Sequence, residues 1–308
     1  MENKNIYVVG HKSPDTDSVV SAIAWAEYLC SIGYNANAAS VGAINPETKF
    51  VLEKFGYSVP QLLEDAADKT LTLVDHNEAS QSPDNVDKAK IIEVIDHHKI
   101  NFQYEEPIIF STHPLGSCAT IIGERLLNAD GFTVSKNLAG ILLSAILSDT
   151  VIFKSPTTTS IDRNVAKSLA QIAQIENLED FGIEIKKQKA SIKGLDAQQA
   201  IRSDFKEFEV NGKKFGAGQI EVVDTAEIKE RQEELLAALE TETKTSGYLF
   251  AVLMVTNIID QGTTLLAAGD TAVIEKAFNV KLENNSIYIP GMMSRKKDLI
   301  PPLMAALK

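Results

Sequence analysis

The fold of the first half of the chain is indicated by residues 6–33, which read IYVVGHKSPDTDSVVSAIAWAEYLCSIG. IYVV is a short apolar run typical of a buried strand, and the polar loop HKSPDTD follows it. Residues 18–33 are apolar on most faces of a helix, with Asp17 or Ser18 as the N-cap and Gly33 at the expected helix end. The stretch therefore predicts a strand, a polar loop and a buried helix.

This alternation of strands and helices continues along the chain. Further strands are predicted at 36–42, 70–75 and 91–96, and further helices at 116–130, 135–149 and 164–175. Strands that alternate with helices are typical of a parallel sheet with right-handed crossovers. Ligands of such sheets bind beyond the carboxyl ends of the strands, which is where the polar motifs of this chain lie.

The pattern changes after about residue 185, and a length of 308 residues favours two domains. A hairpin with its turn at Asn211-Gly212 is followed by an amphipathic helix, two buried strands and a short helix. We therefore predict an α/β protein with an N-terminal parallel-sheet domain and a smaller C-terminal α/β domain with a mixed sheet. The predicted bounds are 1–188 for the first domain, 189–193 for a linker and 194–308 for the second domain.

Composition and charge exclude several classes of protein. Apolar residues make up 44% and charged residues 23%, as in ordinary globular proteins, and the net charge is −12. Such a charge disfavours a nucleic-acid or membrane-surface binder, although bound cations would still allow an anionic substrate. No transmembrane run or signal peptide is apparent, and Cys30 and Cys118 read as reduced thiols, so we expect a cytoplasmic protein.

Histidines and aspartates cluster at the predicted strand ends. The clusters are His11 with Asp15 and Asp17, Asp75 with His76, Asp96 with His97 and His98, and Asp149 at the end of an apolar helix. If the strands are neighbours, these side chains converge at one place. Histidine with several carboxylates suits Mn²⁺, Fe²⁺, Co²⁺ or Zn²⁺, and oxygen-rich sites favour Mn²⁺ or Mg²⁺.

The number of candidate ligands exceeds what one metal ion needs. Two metal ions about 3.5–4 Å apart can clamp an attacking water and a phosphoryl oxygen, and one carboxylate must then bridge them. Asp75 suits the bridging role because it ends the central-looking strand TLTLVD.

Several of these signals also have simpler interpretations. A lone aspartate at a strand end is usually a cap or turn residue, and His76 is equally well a packed histidine or a support for a ligand. His113 reads as an ordinary loop residue, and Lys206 reads as a surface residue. The segment GSCAT (116–120) is either a simple helix start or an anion site, and the basic run at 295–297 is either a solvated face or a phosphate grip.

Six motifs in chain order resemble those of the DHH phosphoesterase superfamily, and more closely those of the family II inorganic pyrophosphatases. They are GHxxPDTD, VDHNE, VIDHH, GSCAT, an SD pair after an apolar helix, and a C-terminal SRKK. The resemblance covers the whole chain. It implies a DHH metal-binding domain, a DHHA2-type phosphate-binding domain and an active site in the cleft between the two domains.

The same resemblance implies ligand sets and catalytic roles. Two Mn²⁺ per subunit are expected, with Co²⁺ or Mg²⁺ as substitutes and a further Mg²⁺ entering with the substrate. One ion would be held by His11, Asp15 and Asp75, and the other by Asp17, Asp75, His97 and Asp149. Asp75 and His98 would be catalytic, and His98, Lys206, Arg295 and Lys296 would bind the substrate.

The implied reaction is the hydrolysis of inorganic pyrophosphate to two phosphates by a metal-bridging hydroxide, without a covalent intermediate. We expect a homodimer with no nucleic-acid or membrane partner. The alternative enzyme is a DHH polyphosphatase, or a phosphodiesterase that acts on short oligonucleotides or cyclic dinucleotides. Phosphodiesterase relatives carry a histidine in their C-terminal substrate motif, whereas no histidine follows His113 here. A binding protein without turnover is a further alternative, but pure binding would not need such an open two-metal site.

Overall fold

The structure is a computed structural model that describes residues 5–188, 192, 194–223 and 225–308. The chain divides into two compact units, Met1–Lys189 and Ala190–Lys308. Of the predicted linker at 189–193, only Ile192 is among the described residues. The two units are described separately.

The first unit contains a six-stranded sheet whose neighbouring strands are all parallel. Its strands are β1 Ile6–Val9, β2 Ala36–Ser40, β3 Gln61–Leu62, β4 Thr70–Val74, β5 Lys90–Asp96 and β6 Ile109–Thr112. Its helices are α1 Thr16–Ser31, α2 Pro46–Lys54, α3 Cys118–Leu127, α4 Lys136–Asp149, α5 Ser160–Ala173 and α6 Leu178–Lys187. The predicted parallel-sheet α/β architecture of this unit is confirmed.

The order of the strands creates a switch point between β1 and β4. The sheet runs β3-β2-β1-β4-β5-β6, so the chain leaves β1 toward one edge and returns at β4 toward the other. Val9 is in register with Leu73, and Leu73 is in register with Val94, so these three central strands end at the same level. The loops that follow them therefore meet in the crevice where ligands of such sheets bind.

Helix α1 begins earlier than the sequence predicted. Its N-cap is Asp15, whose side chain accepts a hydrogen bond from the Ser18 amide, rather than Asp17 or Ser18. Asp17 therefore lies inside the first turn and is buried. Most of the helix is buried because its apolar residues surround its axis, and it ends before Gly33, whose φ of +94° suits glycine.

The second unit contains a five-stranded mixed sheet in the order β11-β10-β9-β8-β7. Its strands are β7 Phe205–Val210, β8 Lys213–Val222, β9 Phe250–Asn257, β10 Gly262–Gly269 and β11 Ser286–Pro290. Its helices are α7 Ala197–Arg202, α8 Ala226–Glu230, α9 Gln232–Ser246, α10 Ala272–Phe278 and α11 Ile300–Ala306, with a π-helical turn at Arg295–Leu299. Strands β8 and β9 are parallel and the other neighbours are antiparallel, which confirms the predicted mixed sheet.

The hairpin in this unit forms at its predicted turn, where Asn211 and Gly212 both have positive φ, as a tight hairpin turn requires. The single amphipathic helix that was predicted after the hairpin is instead two helices, α8 and α9, which are separated at Arg231. Strand β9 is buried along its whole length, so the apolar core lies on both faces of the sheet. In the described part of the chain, no helix has the length and apolar character needed to span a membrane.

Candidate functional site

A cavity of about 320 Å³ opens at the carboxyl ends of the central strands of the first unit. Its lining includes five of the predicted metal ligands and the predicted catalytic histidine, namely His11, Asp15, Asp75, His97, Asp149 and His98. The sixth predicted ligand, Asp17, is buried and reaches within 4.0 Å of His97. The structure thus brings together all the residues that the sequence predicted for the metal centre.

The two histidines of the centre are oriented in the same way. Nδ1 of His11 lies 2.8 Å from the Lys12 carbonyl, and Nδ1 of His97 lies 3.0 Å from the Leu115 carbonyl. Since a carbonyl only accepts hydrogen bonds, each Nδ1 carries the proton. In the neutral imidazole the lone pair is then on Nε2, which faces the carboxylates, and this is the arrangement that metal-binding histidines use.

Asp75 lies between the two histidines. Its Oδ2 is 3.4 Å from His11 Nε2, and its Oδ1 is 3.2 Å from His97 Nε2. The residue is buried and has a φ of +61°, an uncommon conformation for an aspartate that is found at functional sites. One carboxylate therefore presents an oxygen to each half of the centre, as a bridging ligand would.

The remaining carboxylates belong to two groups of candidate ligands, of which the first includes Asp75. Candidate ligand atoms of His11, Asp15 and Asp75 lie within 4.8 Å of one another, and so do those of Asp17, His97 and Asp149. Among the described residues, Asp75 Oδ1 and His97 Nε2 are buried and face each other at 3.2 Å, but neither has a hydrogen bond of good geometry. Because buried polar atoms rarely lack partners, and because mixed histidine and carboxylate donors suit Mn²⁺, the residues fit a divalent metal centre.

The charges of the centre explain its shifted pKa values. Burial opposes the charged form of His11, but hydrogen bonds to Asp15 and Asp75 outweigh this effect and raise its pKa to about 11. The balance at His97 is similar, with Asp75 as the main partner, and its pKa rises to about 10. Burial and then the charge of Asp75 raise the pKa of Asp149 to about 7. Protons thus compensate for the crowded carboxylates, and a divalent cation would replace them.

The helix start at GSCAT does not offer a free anion site. The carboxylate of Asp17 accepts hydrogen bonds from Ser117 Oγ at 2.8 Å, the Cys118 amide at 2.6 Å and the Ala119 amide at 2.8 Å. The anion at the N-terminus of α3 is therefore a side chain of the protein itself, and the possible role of this segment in binding an external anion is wrong. Burial raises the pKa of Asp17, whereas these donors favour its charged form.

His98 is oriented by Asp96, and Asp96 is held by Asn77; no role was predicted for either residue from the sequence. Its Nδ1 lies 2.9 Å from Asp96 Oδ1, and this hydrogen bond raises the pKa of His98. Asp96 also accepts from the His98 amide, while its Oδ2 accepts from the side chain of Asn77. The adjacency of Asp96 to His98 was visible in the sequence, but the role of Asn77 depends on a contact between separate loops.

His76 and His113 have no catalytic geometry. Both ring nitrogens of His76 are within 2.9 Å of a partner, the Val74 carbonyl and the Ser82 hydroxyl. Its burial lowers its pKa, so it is a neutral, packed histidine on the wall of the cavity. His113 is an exposed loop residue.

The three predicted phosphate-binding residues lie together in the second unit. Lys206, Arg295 and Lys296 line a pocket of about 460 Å³, although Lys206 is separated from the other two by about 90 positions of the chain. Arg295 is only 8% exposed, and its Nη2 donates to Asp204 Oδ1 at 2.7 Å. Arg295 and Lys296 belong to the π-helical turn, a rare conformation that is frequent at functional sites.

Comparisons with known proteins agree with this geometry. Residues 5–146 match the N-terminal domain of the DHH family, and residues 183–306 match the DHHA2 domain. The chain is 47% identical to the manganese-dependent inorganic pyrophosphatase of Methanocaldococcus jannaschii over 97% of this chain and 98% of that protein. It is 46% identical to the protein of the same name from Methanothrix thermoacetophila, over 99% of both chains.

Solved structures give a similar result. One from Methanococcus jannaschii, described as a family II inorganic pyrophosphatase, has a TM-score of 0.65 and 46% identity, and covers 98% of this chain and 99% of that chain. An exopolyphosphatase-related protein from Bacteroides fragilis has a TM-score of 0.52 over 99% of this chain and 92% of that chain. Its identity is only 16%, so it supports the fold alone.

Proposed function

The chain belongs to the family of manganese-dependent inorganic pyrophosphatases, and from this premise we propose that it hydrolyses inorganic pyrophosphate to two phosphates. The observation that carries the proposal is the position of Asp75, which presents one carboxylate oxygen to His11 and the other to His97. Hydrolysis of a compact polyanion requires in-line attack and neutralised charge, and a centre with two cations meets both needs.

We propose that the centre holds two Mn²⁺, with Co²⁺ or Mg²⁺ as substitutes and a further Mg²⁺ that enters with the substrate. The first ligand set is His11, Asp15 and Asp75, and the second is Asp17, Asp75, His97 and Asp149. When bound, the ions supply positive charge to the phosphoryl oxygens and lower the pKa of the attacking water. The buried Asp17 is fixed by three donors from α3, which keeps one carboxylate in place before any ion binds.

His98 is the proposed proton donor. The hydrogen bond of Nδ1 to Asp96 fixes the ring and favours its protonated form, so a proton is available on Nε2 for the leaving phosphate. His98 is also more exposed than the ligand histidine His97, as a residue that contacts substrate must be. No covalent intermediate is needed, since the attacking group is water.

Lys206, Arg295 and Lys296 are the proposed phosphate-binding residues of the second unit. The guanidinium suits paired contacts with phosphate oxygens, and the two lysines act as mobile point charges. If these side chains bind the pyrophosphate that is hydrolysed, their loss weakens the binding of substrate. Variants with Arg295→Ala or Lys296→Ala should therefore have a higher KM and a lower kcat, and normal values for both would contradict this assignment.

The function is tested by the release of phosphate from three substrates in the presence of Mn²⁺. We expect pyrophosphate to be hydrolysed faster than tripolyphosphate and a dinucleotide. A preference for tripolyphosphate would indicate a polyphosphatase, and a preference for the dinucleotide would indicate a phosphodiesterase. Either result would contradict the proposal.

We further propose a cytoplasmic homodimer that has no nucleic-acid partner. The net charge of −12 opposes binding to a phosphate backbone, because 42 acidic residues against 30 lysines and arginines give a field that repels phosphates. Sedimentation measurements would give the oligomeric state directly. Retention on single-stranded or duplex DNA at physiological salt would contradict the second part of the proposal.

A further inference from the structure

A buried carboxylate outside the ligand sets contacts both segments that flank the candidate metal centre. Glu47 lies in the first turn of α2 and is 2% exposed. Its Oε1 accepts a hydrogen bond from Thr16 Oγ1 at 2.8 Å, and Thr16 stands between the ligands Asp15 and Asp17. The same oxygen accepts a hydrogen bond from the hydroxyl of Ser148, which directly precedes Asp149.

Lys186 completes this buried network from α6. Its Nζ lies 3.3 Å from Glu47 Oε2 and donates to Ser148 Oγ at 2.9 Å. The side chain of Lys186 is only 14% exposed and that of Glu47 only 3%. The hydroxyl of Ser148 thus donates to Glu47 and accepts from Lys186, so its position is fixed from both sides.

We propose that Glu47 and Lys186 are positioning residues that hold Asp17 and Asp149 in place for the metal ion bound by His97. This inference rests on the proposed function. The physical reason is geometric: Glu47 joins the start of α1 to the end of α4, and each of these helix ends supplies a carboxylate ligand to the same group. Residues that orient metal ligands change metal affinity even though they do not touch the ion.

A second ion pair between the same two helices provides a matched control. Lys54 of α2 lies 2.9 Å from Glu184 of α6, but both side chains are at least 35% exposed. An exposed pair contributes little to stability, and within the described part of the chain this pair makes no hydrogen bond to a metal-ligand segment. Removal of the exposed pair therefore tests whether a weaker contact between α2 and α6 is enough to change the affinity for Mn²⁺.

The experiment measures the binding of Mn²⁺ to metal-free protein by calorimetric titration. The variants are Glu47→Gln, Glu47→Ala, Ser148→Ala and Lys186→Met, with Lys54→Met as the control and Asp149→Ala to identify the affected site. Asp149→Ala identifies the Mn²⁺ site that depends on Asp149. We expect Ser148→Ala, Lys186→Met and Glu47→Ala to lower the affinity of that site for Mn²⁺ by about 10-fold to 100-fold. Glu47→Gln should recover part of this loss, because its amide oxygen can still accept from Thr16 and Ser148.

A second measurement separates positioning from a purely structural role. At saturating Mn²⁺, pyrophosphate hydrolysis by Ser148→Ala should approach that of the unaltered protein, because the reacting groups are intact. The inference is wrong if Ser148→Ala and Lys186→Met bind both Mn²⁺ with unchanged dissociation constants, or if Lys54→Met weakens binding as much as they do. Because the titration needs no substrate, failure of the unaltered protein to hydrolyse pyrophosphate would contradict only the proposed function.

Discussion

Asp75 is the residue on which both halves of the candidate centre depend. Its two oxygens face different histidines, so the change Asp75→Asn replaces one acceptor by an NH₂ group that repels a cation. We expect the binding of both Mn²⁺ to weaken and kcat/KM to fall by about 100-fold or more, since a catalytic metal ion contributes several kcal/mol.

The matched control for this change is Asp84→Asn. Asp84 is an exposed aspartate that pairs with Lys12 near the same loops but belongs to none of the candidate ligand groups found among the described residues. The control should keep its metal affinity and its activity. Normal Mn²⁺ binding by Asp75→Asn would refute the bridging role.

His98 offers a test that depends on pH. Asp96 raises the pKa of His98 through a hydrogen bond, so the protonated imidazole persists to higher pH than usual. If the proton on His98 is used in the reaction, kcat should decline as the pH rises through this pKa. Asp96→Asn should move the decline to lower pH, because the neutral amide no longer favours the charged ring.

The pH profile is measured as kcat at saturating Mn²⁺, so that metal binding does not limit the rate. His113→Gln replaces an exposed histidine that does not line the cavity, and it should leave the profile unchanged. An identical alkaline limb for Asp96→Asn and the unaltered protein would exclude His98 as the titrating donor.

At the scale of the secondary-structure elements, the N-terminus of α3 is held by a second buried aspartate. Asp162 accepts hydrogen bonds from the Gly116 amide at 3.0 Å and Thr120 Oγ1 at 2.6 Å, and it also forms the capping box of α5. Asp162→Ala should lower the free energy of unfolding by about 2–4 kcal/mol, because α5 loses its cap and buried hydrogen-bond donors are left unpaired. Because α3 also fixes Asp17, the affinity for Mn²⁺ should fall as well.

Asp196→Ala is the control for the loss of a cap. Asp196 caps α7 in the second unit with a similar capping box, but it is exposed and far along the chain from the ligand motifs. Chemical denaturation should show a loss of about 1 kcal/mol for this variant, with unchanged Mn²⁺ binding. If Asp162→Ala were no more destabilising than Asp196→Ala, Asp162 would be only a helix cap.

Local patterns in the sequence predicted most elements and the six candidate ligands that meet at the centre, but not the role of Asn77. Strand ends and adjacent charged residues are local signals, so His11, Asp75 and His97 could be found from spacing alone. The network around Glu47 could not be predicted from the sequence, because the contact of Glu47 with Ser148 spans 101 positions of the chain. The start of α1 was predicted wrongly because it also depends on a long-range contact. Both Asp15 and Asp17 are suitable caps, and only the packing of Asp17 against α3 decides between them.

At the scale of the whole molecule, the excess of acidic residues is consistent with an enzyme for a small anion. Several of the 42 acidic residues are candidate ligands, and bound cations would reverse the local charge of the cavity. Without bound cations, protons on the histidines and carboxylates neutralise part of the negative charge of the cavity. The stability of the metal-free protein should therefore depend on pH in a direction that its pKa values determine.

The pKa of Asp149 is raised from 3.8 to about 7, so the folded protein loses stability as the pH rises between these values. The pKa values of His11 and His97 are raised from 6.5 to about 11 and about 10, and their contribution is present below 6.5 and is lost as the pH rises through the higher values. All three groups act in the same direction. The Tm of the metal-free protein should therefore be lower at about pH 8.5 than at about pH 6.

Bound Mn²⁺ should oppose this loss, because it competes with the protons and binds more tightly as they leave. At a free concentration of about 100 times Kd, one bound ion raises the free energy of unfolding by about 2.7 kcal/mol. Because Mn²⁺ binds more tightly at higher pH, the increase in Tm on adding Mn²⁺ should be larger at about pH 8.5 than at about pH 6. Thermal scans in EDTA and in Mn²⁺ at the two pH values measure both effects. Asp149→Asn removes one of the titrating groups, so it should reduce the difference in Tm between the two pH values. If Mn²⁺ raises the Tm of the unaltered protein equally at both pH values, the centre is not compensated by protons.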